Sequence, residues 1–269
     1  MAGPGELEDF IGRHQRLFVL TGAGCSAPSG IPDYRDSDGR WKRAAPMTYQ
    51  AFMQSEAARR RYWARSLTGW RRIRAAAPNA AHTALARLEA SGKCEHLTTQ
   101  NVDRLHQAAG SARVIDLHGR LDRVLCAGCG ATSPRADLQD ELIRRNADWA
   151  ALDARDAPDG DADLDGVDFS AFEVPACAEC GGVLKPDVVF FGENVPRRRV
   201  ERAYAHLDAS DAVLVVGSSL MVYSGYRFVE RAAAAGKPIA AVNLGRTRAD
   251  ALLALKLEAS CETALAFLL

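Results

Sequence analysis

The chain has 269 residues with 34 lysines and arginines against 34 aspartates and glutamates, long enough to bury a large core with room for a smaller domain. The charge balance gives no electrostatic ground for a nucleic-acid or anionic-membrane partner, and no apolar run reaches the ~18 residues of a membrane-spanning helix. The acidic opening Met1–Asp9 lacks the marks of a signal or transit peptide, so the expected location is the cytoplasm.

Residues 6–16 have the pattern of a short amphipathic helix leading into Leu17-Phe-Val-Leu-Thr-Gly-Ala-Gly-Cys-Ser-Ala-Pro-Ser-Gly-Ile-Pro-Asp-Tyr-Arg35. The apolar run Leu17 to Leu20 suits a buried parallel strand. It breaks into Gly22-Ala23-Gly24, where missing side chains permit a sharp turn and close approach of a ligand. Cys25-Ser26-Ala27 is suited to opening a helix whose N–H groups face an anion. Strand, turn and helix start describe a site for a nucleotide pyrophosphate; the plain alternative is a tight turn with no ligand. Ala27 stands where the usual dinucleotide fingerprint has its third glycine. No acidic residue ends a second strand about 20 residues on, and no Tyr-x-x-x-Lys follows, which argues against an ordinary dehydrogenase.

After Arg35 a polar loop runs to Trp41. Residues 48–74 read as helical, with Phe52, Tyr62, Trp63 and Trp70 as core or groove lining. Asn79 to Ser91 reads as a helix between Pro78 and Gly92. The segment from His96 reads as a strand ending in Gln100, Asn101 and Asp103, and Arg113 to Gly119 as one ending in His118. The last third alternates again: strand Val188–Phe191, helix from Arg197 to Leu207, strand Ala212–Val216 ending in Gly217-Ser218-Ser219. A helix from Tyr226 to Ala235, a strand from Pro238 to Leu244 and a helix from Ala249 to Lys256 complete it. Such alternation predicts an α/β fold, a doubly wound parallel Rossmann-like sheet. In that fold the polar residues past the strand ends gather at one crevice.

Seven cysteines are an odd number for a disulfide framework. Four form the knuckles Cys126-Ala-Gly-Cys129 and Cys177-Ala-Glu-Cys180, the donor set of a closed structural zinc site in a reducing compartment. The long interval between the knuckles must carry structure of its own. The expected division is residues 1–119 and 186–269 as the Rossmann-like domain, with 120–185 as a small inserted zinc module crossed by an acidic tract, Asp153 to Asp168.

In this order, Gly22-Ala-Gly24 with Ser26-x-x-Ser-Gly-Ile-Pro-Asp-Tyr-Arg35, Thr99-Gln-Asn-Val-Asp103, Leu117-His-Gly119, the paired cysteines, Lys185-Pro-Asp-Val-Val-Phe-Phe-Gly-Glu193, Val216-Gly-Ser-Ser-Leu220 and Val242-Asn-Leu-Gly245 resemble the sirtuins, NAD-dependent protein deacylases. Tyr62-Trp-Ala-Arg65, Asp122–Cys126, Ala157–Asp161 and Val222–Phe228 are similar to the class II branch that includes mitochondrial sirtuin-4. Ser66-Leu-Thr-Gly69 stands where the succinyl- and malonyl-removing branch has its Tyr-x-x-Arg, so that preference is not expected. Cys25 replaces the family's usual isoleucine or valine as a small packing residue.

The resemblance implies roles. Gly22, Ala23 and Gly24 take the pyrophosphate; Gly217, Ser218, Ser219 and Asn243 hold the adenosine half, with Cys261 near the adenine. Gln100 touches the nicotinamide ribose. Ile31, Asp33, Asn101 and Asp103 line the nicotinamide pocket, and Ile31-Pro-Asp33-Tyr34-Arg35 begins a mobile cofactor lid. Val188, Val189 and Phe190 receive an acylated-lysine peptide as an added strand. His118 is the base, aided by Asn101 and Asp103. The implied activity is transfer of the acyl group to ADP-ribose with release of nicotinamide. The alternatives are protein mono-ADP-ribosyl transfer at the same NAD site, or a silent NAD-binding protein.

Overall fold

The computed structural model describes residues 3–42, 46–150, 155–157, 161–164 and 166–269. Residues 153–154, 158–160 and 165 of the acidic tract, which include 158–160 of the branch-like stretch Ala157–Asp161, lie outside the described residues. The strands in chain order are β1 (Leu17–Thr21), β2 (Cys94–Thr99), β3 (Val114–Asp116), β4 (Gly119–Cys126), β5 (Thr132–Pro134), β6 (Arg155–Ala157), β7 (Asp161–Asp163), β8 (Leu184–Val188), β9 (Ala212–Val216), β10 (Ile239–Val242) and β11 (Leu255–Leu257). The helices are α1 (Pro4–Arg13), α2 (Ala23–Ser26), α3 (Tyr49–Gln54), α4 (Glu56–Ala75), α5 (Ala80–Ala90), α6 (Leu105–Ala108), α7 (Arg135–Arg145), α8 (Ala147–Ala150), α9 (Arg197–Ala209), α10 (Tyr223–Ala234) and α11 (Cys261–Leu265).

A parallel sheet ordered β11-β10-β9-β1-β2-β3 forms the centre. β1 and β9 are buried from end to end, as strands covered on both faces must be. Side chains alternate between the two faces. Leu17, Val19, Leu214 and Val216 pack with α1, α5 and α11, while Phe18, Leu20, Val213 and Val215 pack with α9 and α10. This is the expected doubly wound, Rossmann-like fold. The chain leaves β1 toward β2 on one side and returns to β9 on the other, which opens a crevice at their C-terminal ends.

β5, β4 and β8 form a second, antiparallel sheet. Pro186, which has no N–H to donate, is accommodated because β8 is an edge strand. Beside it, Arg135 of α7 is 1% exposed, its guanidinium lying 5.3 and 5.2 Å from the ring centres of Trp63 and Trp70 on α4. Burial lowers its pKa to about 10. The aromatic residues of α4 are core, as their spacing suggested.

Four stretches fold differently from their sequence reading. Residues 48–74 form two helices, because Thr48 and Ser55 each cap a new N-terminus, accepting from the Ala51 and Ala58 amides. Ala249 to Lys256 is a short 3-10 turn followed by β11. There Leu255 and Leu257 pack on the sheet edge at a period of two. The strand expected over Val188–Phe191 lies earlier, at Leu184–Val188, and shares only Val188 with it. The helix after Gly22 is a single turn continued by a 3-10 turn, Ala27–Ser29.

Three imidazoles are buried: His82, His96 and His106. Desolvation lowers His82 to about 4 and His96 to about 3, and drives His106 well down. His96 also stacks on His206 at 3.9 Å. Their folded pKa values lie below the unfolded value near 6.5, so below pH 6.5 the unfolded chain binds protons that the folded chain does not. Stability is therefore lost as pH falls, by up to about 1.4 kcal/mol per pH unit per histidine. Urea unfolding between pH 7 and 5 checks this: the midpoint should fall steadily, and His96→Phe should flatten the slope.

Candidate active site

Two glycine turns meet at the head of the crevice. The Gly22 amide donates to Val216 O at 3.1 Å and the Gly24 amide to Gly217 O at 2.9 Å. A Cβ on Gly24 would lie 3.0 Å from Gly217 O, and one on Gly217 (φ +63°) would lie 2.3 Å from the Cys25 amide nitrogen. The glycines of the opening motif thus admit another backbone as well as a ligand. The Cys25 amide bonds Gly22 O, so among the described residues the amide of this turn left for an anion is that of Ala23. Cys261, first residue of α11, closes the back by donating its thiol to Gly24 O at 3.7 Å.

Behind the turn lies a polar network. Asn101 donates through Nδ2 to Gly22 O at 3.0 Å and to Ser26 Oγ at 2.9 Å, and Ser26 donates to Asp103 Oδ2 at 2.6 Å. Asp103 also accepts from the Leu105 amide. Burial raises the Asp103 pKa against the opposing pull of the Ser26 hydroxyl. Thr21, Thr99, His82 and His106 extend the network inward. Cys25 is fully buried there and its pKa is raised well above the ordinary thiol value, chiefly by desolvation; it packs as an inert thiol.

Gln100 joins the two halves, with Nε2 donating to Ser218 Oγ at 2.7 Å and to Thr21 O at 3.3 Å. Its carbonyl lies 3.0 Å from His118 Nδ1. A carbonyl only accepts, so Nδ1 carries the proton and Nε2 is the bare, basic nitrogen. Nε2 lies 2.7 Å from Ser224 Oγ. Burial lowers the His118 pKa to about 4, and the charge of Arg199 also disfavours the cation. The ring is therefore a neutral base at working pH. Gly119 (φ +89°) turns the chain sharply after it, where a Cβ would meet Asp187 O at 2.1 Å.

His118 O accepts from the Val189 amide at 2.7 Å. The adjoining segment is held by a part-buried ion pair: Lys185 Nζ, 3.2 Å from Glu193, donates to Val188 O, and Glu193 accepts from the Phe190 amide. Phe190 stacks on Phe52 and meets Tyr62 edge-on. Val188, the last residue of β8, and Val189 and Phe190 beyond it thus adjoin His118 as a fixed segment.

Other residues singled out in the sequence lie around this centre. Ile31 is buried against Trp70, Val102 and Leu121. Asp33 pairs with Lys42. Tyr34 packs edge-on to Trp41 and Phe191, and Arg35 lies over Trp41 while donating to Gly39 O. Residues 31–42 form a closed loop, bridged at Arg35 and Trp41 and tied to the far side by the Arg246 amide donating to Ser37 O at 2.8 Å. At the end of β10, Asn243 bonds Leu244 O and Gly245 O, and Ser219 O accepts from the Arg248 amide.

Ser26 and Ser224 were absent from the expected site. Ser26 gave a signal as the first hydroxyl after the glycine turn; Ser224 stands in a stretch that read only as a branch marker.

The four knuckle thiols lie within 4.8 Å of one another, Cys126–Cys180 at 3.5 Å and Cys129–Cys177 at 3.8 Å. Zn–S bonds of about 2.3 Å in a tetrahedron require sulfurs about 3.8 Å apart. Backbone N–H groups of Cys129 and Gly128 hold the Cys126 thiol below its ordinary pKa, while the neighbouring thiols push that of Cys129 up, so the four sulfurs act as one donor set. The residues fit zinc.

A model of the Sir2 family matches residues 22–224. The chain belongs to the Sir2 family, the sirtuins. It is 70% identical over 263 residues to an "NAD-dependent protein deacetylase 2" of Bradyrhizobium diazoefficiens, covering 98% of this chain and 96% of that one. It is also 70% identical to an "NAD-dependent protein deacetylase" of Xanthomonas campestris pv. campestris strain 8004, with 97% and 89% coverage. Among solved structures, "Sir2-p53 peptide-NAD+" aligns with a TM-score of 0.77 at 30% identity, covering 99% and 97% of the two chains. Sir2Tm bound to a propionylated peptide aligns at 0.74 and 29%, covering 99% and 96%.

Two measurements probe this sirtuin's site. Gly217→Ala should weaken NAD binding at least tenfold and lower the melting temperature, read by calorimetry, because its Cβ has no room. Chelation, or Cys126→Ser, should release zinc and unfold the small sheet first, seen as lost metal and lost amide protection around β4, β5 and β8; a metal-free protein of unchanged stability would refute a structural zinc.

Proposed function

We propose that this sirtuin is an NAD-dependent protein lysine deacylase that transfers the acyl group to ADP-ribose and releases nicotinamide. The observation that carries the reading is the hydrogen bonding of His118: a neutral ring with its proton on Nδ1, given to Gln100 O, and its basic Nε2 beside Ser224, in a residue whose carbonyl accepts from the Val189 amide. The identity to named deacetylases supports it. The glycine turns, with Ser218, Ser219, Asn243 and Cys261, suit the pyrophosphate and adenosine of NAD. Gln100 suits the ribose, and Ile31, Asp33, Asn101 and Asp103 the nicotinamide.

NAD supplies an electrophilic ribose carbon when its nicotinamide departs. The chain does the rest. Asn101 is fixed by Gly22 O and Ser26, and Ser26 by Asp103, so their dipoles are oriented before binding. Val188 to Phe190, clamped by Lys185 and Glu193, align the acyl-lysine so that its weakly nucleophilic oxygen is held in line. Tyr34, Trp41 and Phe191 shield the site from water. His118 Nε2 accepts a ribose hydroxyl proton.

In this reading, residues 120–185 are the metal module and 1–119 with 186–269 the nucleotide domain. Seven unbridged cysteines suit a reducing cytoplasm.

The wild-type protein, given NAD and an acetyl-lysine peptide, should yield free lysine, nicotinamide and O-acetyl-ADP-ribose by mass spectrometry. His118→Ala should lower kcat by about 10²–10⁴-fold while NAD affinity stays within a few-fold. ADP-ribose retained on protein would replace the reading with ADP-ribosyl transfer; NAD binding without turnover of a range of acyl peptides would replace it with a silent protein.

A further inference from the structure

We propose that Ser224 is a positioning residue for His118: its hydroxyl holds the basic nitrogen of the resting ring and gives up that place to the ribose hydroxyl. The proposal deepens the deacylase reading and rests on it.

The hydrogen bonding around the ring leaves little choice. Gln100 O can only accept, so Nδ1 is the donor and the neutral ring has one lone pair, on Nε2. The Ser224 hydroxyl, 2.7 Å away, therefore donates to that nitrogen. This is the geometry that a reacting hydroxyl must adopt to lose its proton to the same atom.

Neither partner is free to drift. Ser224 lies in the first turn of α10. Its neighbour Gly225 packs so closely on Gln100 that a Cβ would lie 2.5 Å from Oε1. Gln100 is itself fixed by Ser218 and Thr21. The ring is thus held between two oxygens whose supports touch each other, one after β2 and one on α10. The charged group acting on it from a neighbouring helix is Arg199 of α9, whose guanidinium donates to Leu117 O.

A bare Nε2 accepts one strong hydrogen bond. In the resting enzyme Ser224 supplies it, which keeps the ring neutral, fixes its plane and spares a buried lone pair from going unpaired. The ribose hydroxyl then exchanges one donor for another with no change of tautomer. A ring left without that donor must find its orientation during each turnover.

Nitrogen NMR of the full-length free enzyme, with labelled histidine at pH 7, tests this directly. His118 is assigned by the signal lost in His118→Ala. The expected result is a protonated Nδ1 and a bare Nε2 shifted upfield by its donor. In Ser224→Ala the Nε2 signal should move downfield, and Ser224→Thr should restore it. Turnover of acetyl-lysine peptide should follow: Ser224→Ala lowers kcat by roughly 2–10-fold, the worth of one hydrogen bond, with the KM for NAD within twofold, and Ser224→Thr recovers it. A wild-type ring protonated on Nε2, or an Nε2 signal unmoved by Ser224→Ala, would overturn the proposal. The NMR readout needs no turnover, so an inactive wild type would count against the deacylase reading alone.

Discussion

The contact on which the site depends is between two backbones. Gly24 and Gly217 meet with an amide donating to a carbonyl and no side chain between them. The contact sits where the chain turns from β1 to one side of the sheet and from β9 to the other, the point at which the parallel sheet opens. Every later element of the site takes its position from it. Asn101 reaches Gly22 O, Gln100 reaches Ser218, Cys261 reaches Gly24 O, and His118 hangs from the Gln100 carbonyl. A methyl group at Gly217 would part the two turns and move all four.

The second constraint is electrostatic. The interior holds imidazoles that burial keeps neutral and a carboxyl, Asp103, whose pKa burial raises. Hydrogen-bonded dipoles, those of Asn101, Ser26 and Gln100, are held in place along the crevice. That suits a reaction in which charge develops on a sugar carbon and a proton must find a base, because oriented dipoles stabilise developing charge without reorganising. It also makes the protein sensitive to acid, since the same neutral imidazoles oppose folding once solution favours their charged form.

Much of this was legible in the sequence where local chemistry dictates local structure. Leu17–Leu20 and Ala212–Val216 could only be buried strands, and the glycines after them marked the turns. The cysteine spacing announced a tetrahedral donor set. Asn79 and Ser91 bounded α5 through their own hydrogen bonds. What stayed hidden depended on partners distant in the chain. Leu255 and Leu257 fit a helix or a strand until β10 offers them an edge. Val188–Phe191 is apolar enough for a strand, but Glu193 and His118 O take its amides first. Ser224 meets His118 across 106 residues, a distance over which no pattern in one sequence reports.

The closed loop of residues 31–42 bears on the order of events. One end packs Tyr34 and Trp41 against Phe191, directly after Val188–Phe190; the other is tied through Ser37 to Arg246, beyond the end of β10. A single strap thus crosses from the end of β8 to the end of β10. In the proposed reading the peptide and the nucleotide would then meet opposite ends of one strap, so a change in the ring contacts at Phe191 and a change in the tether at Ser37 act on the same short loop.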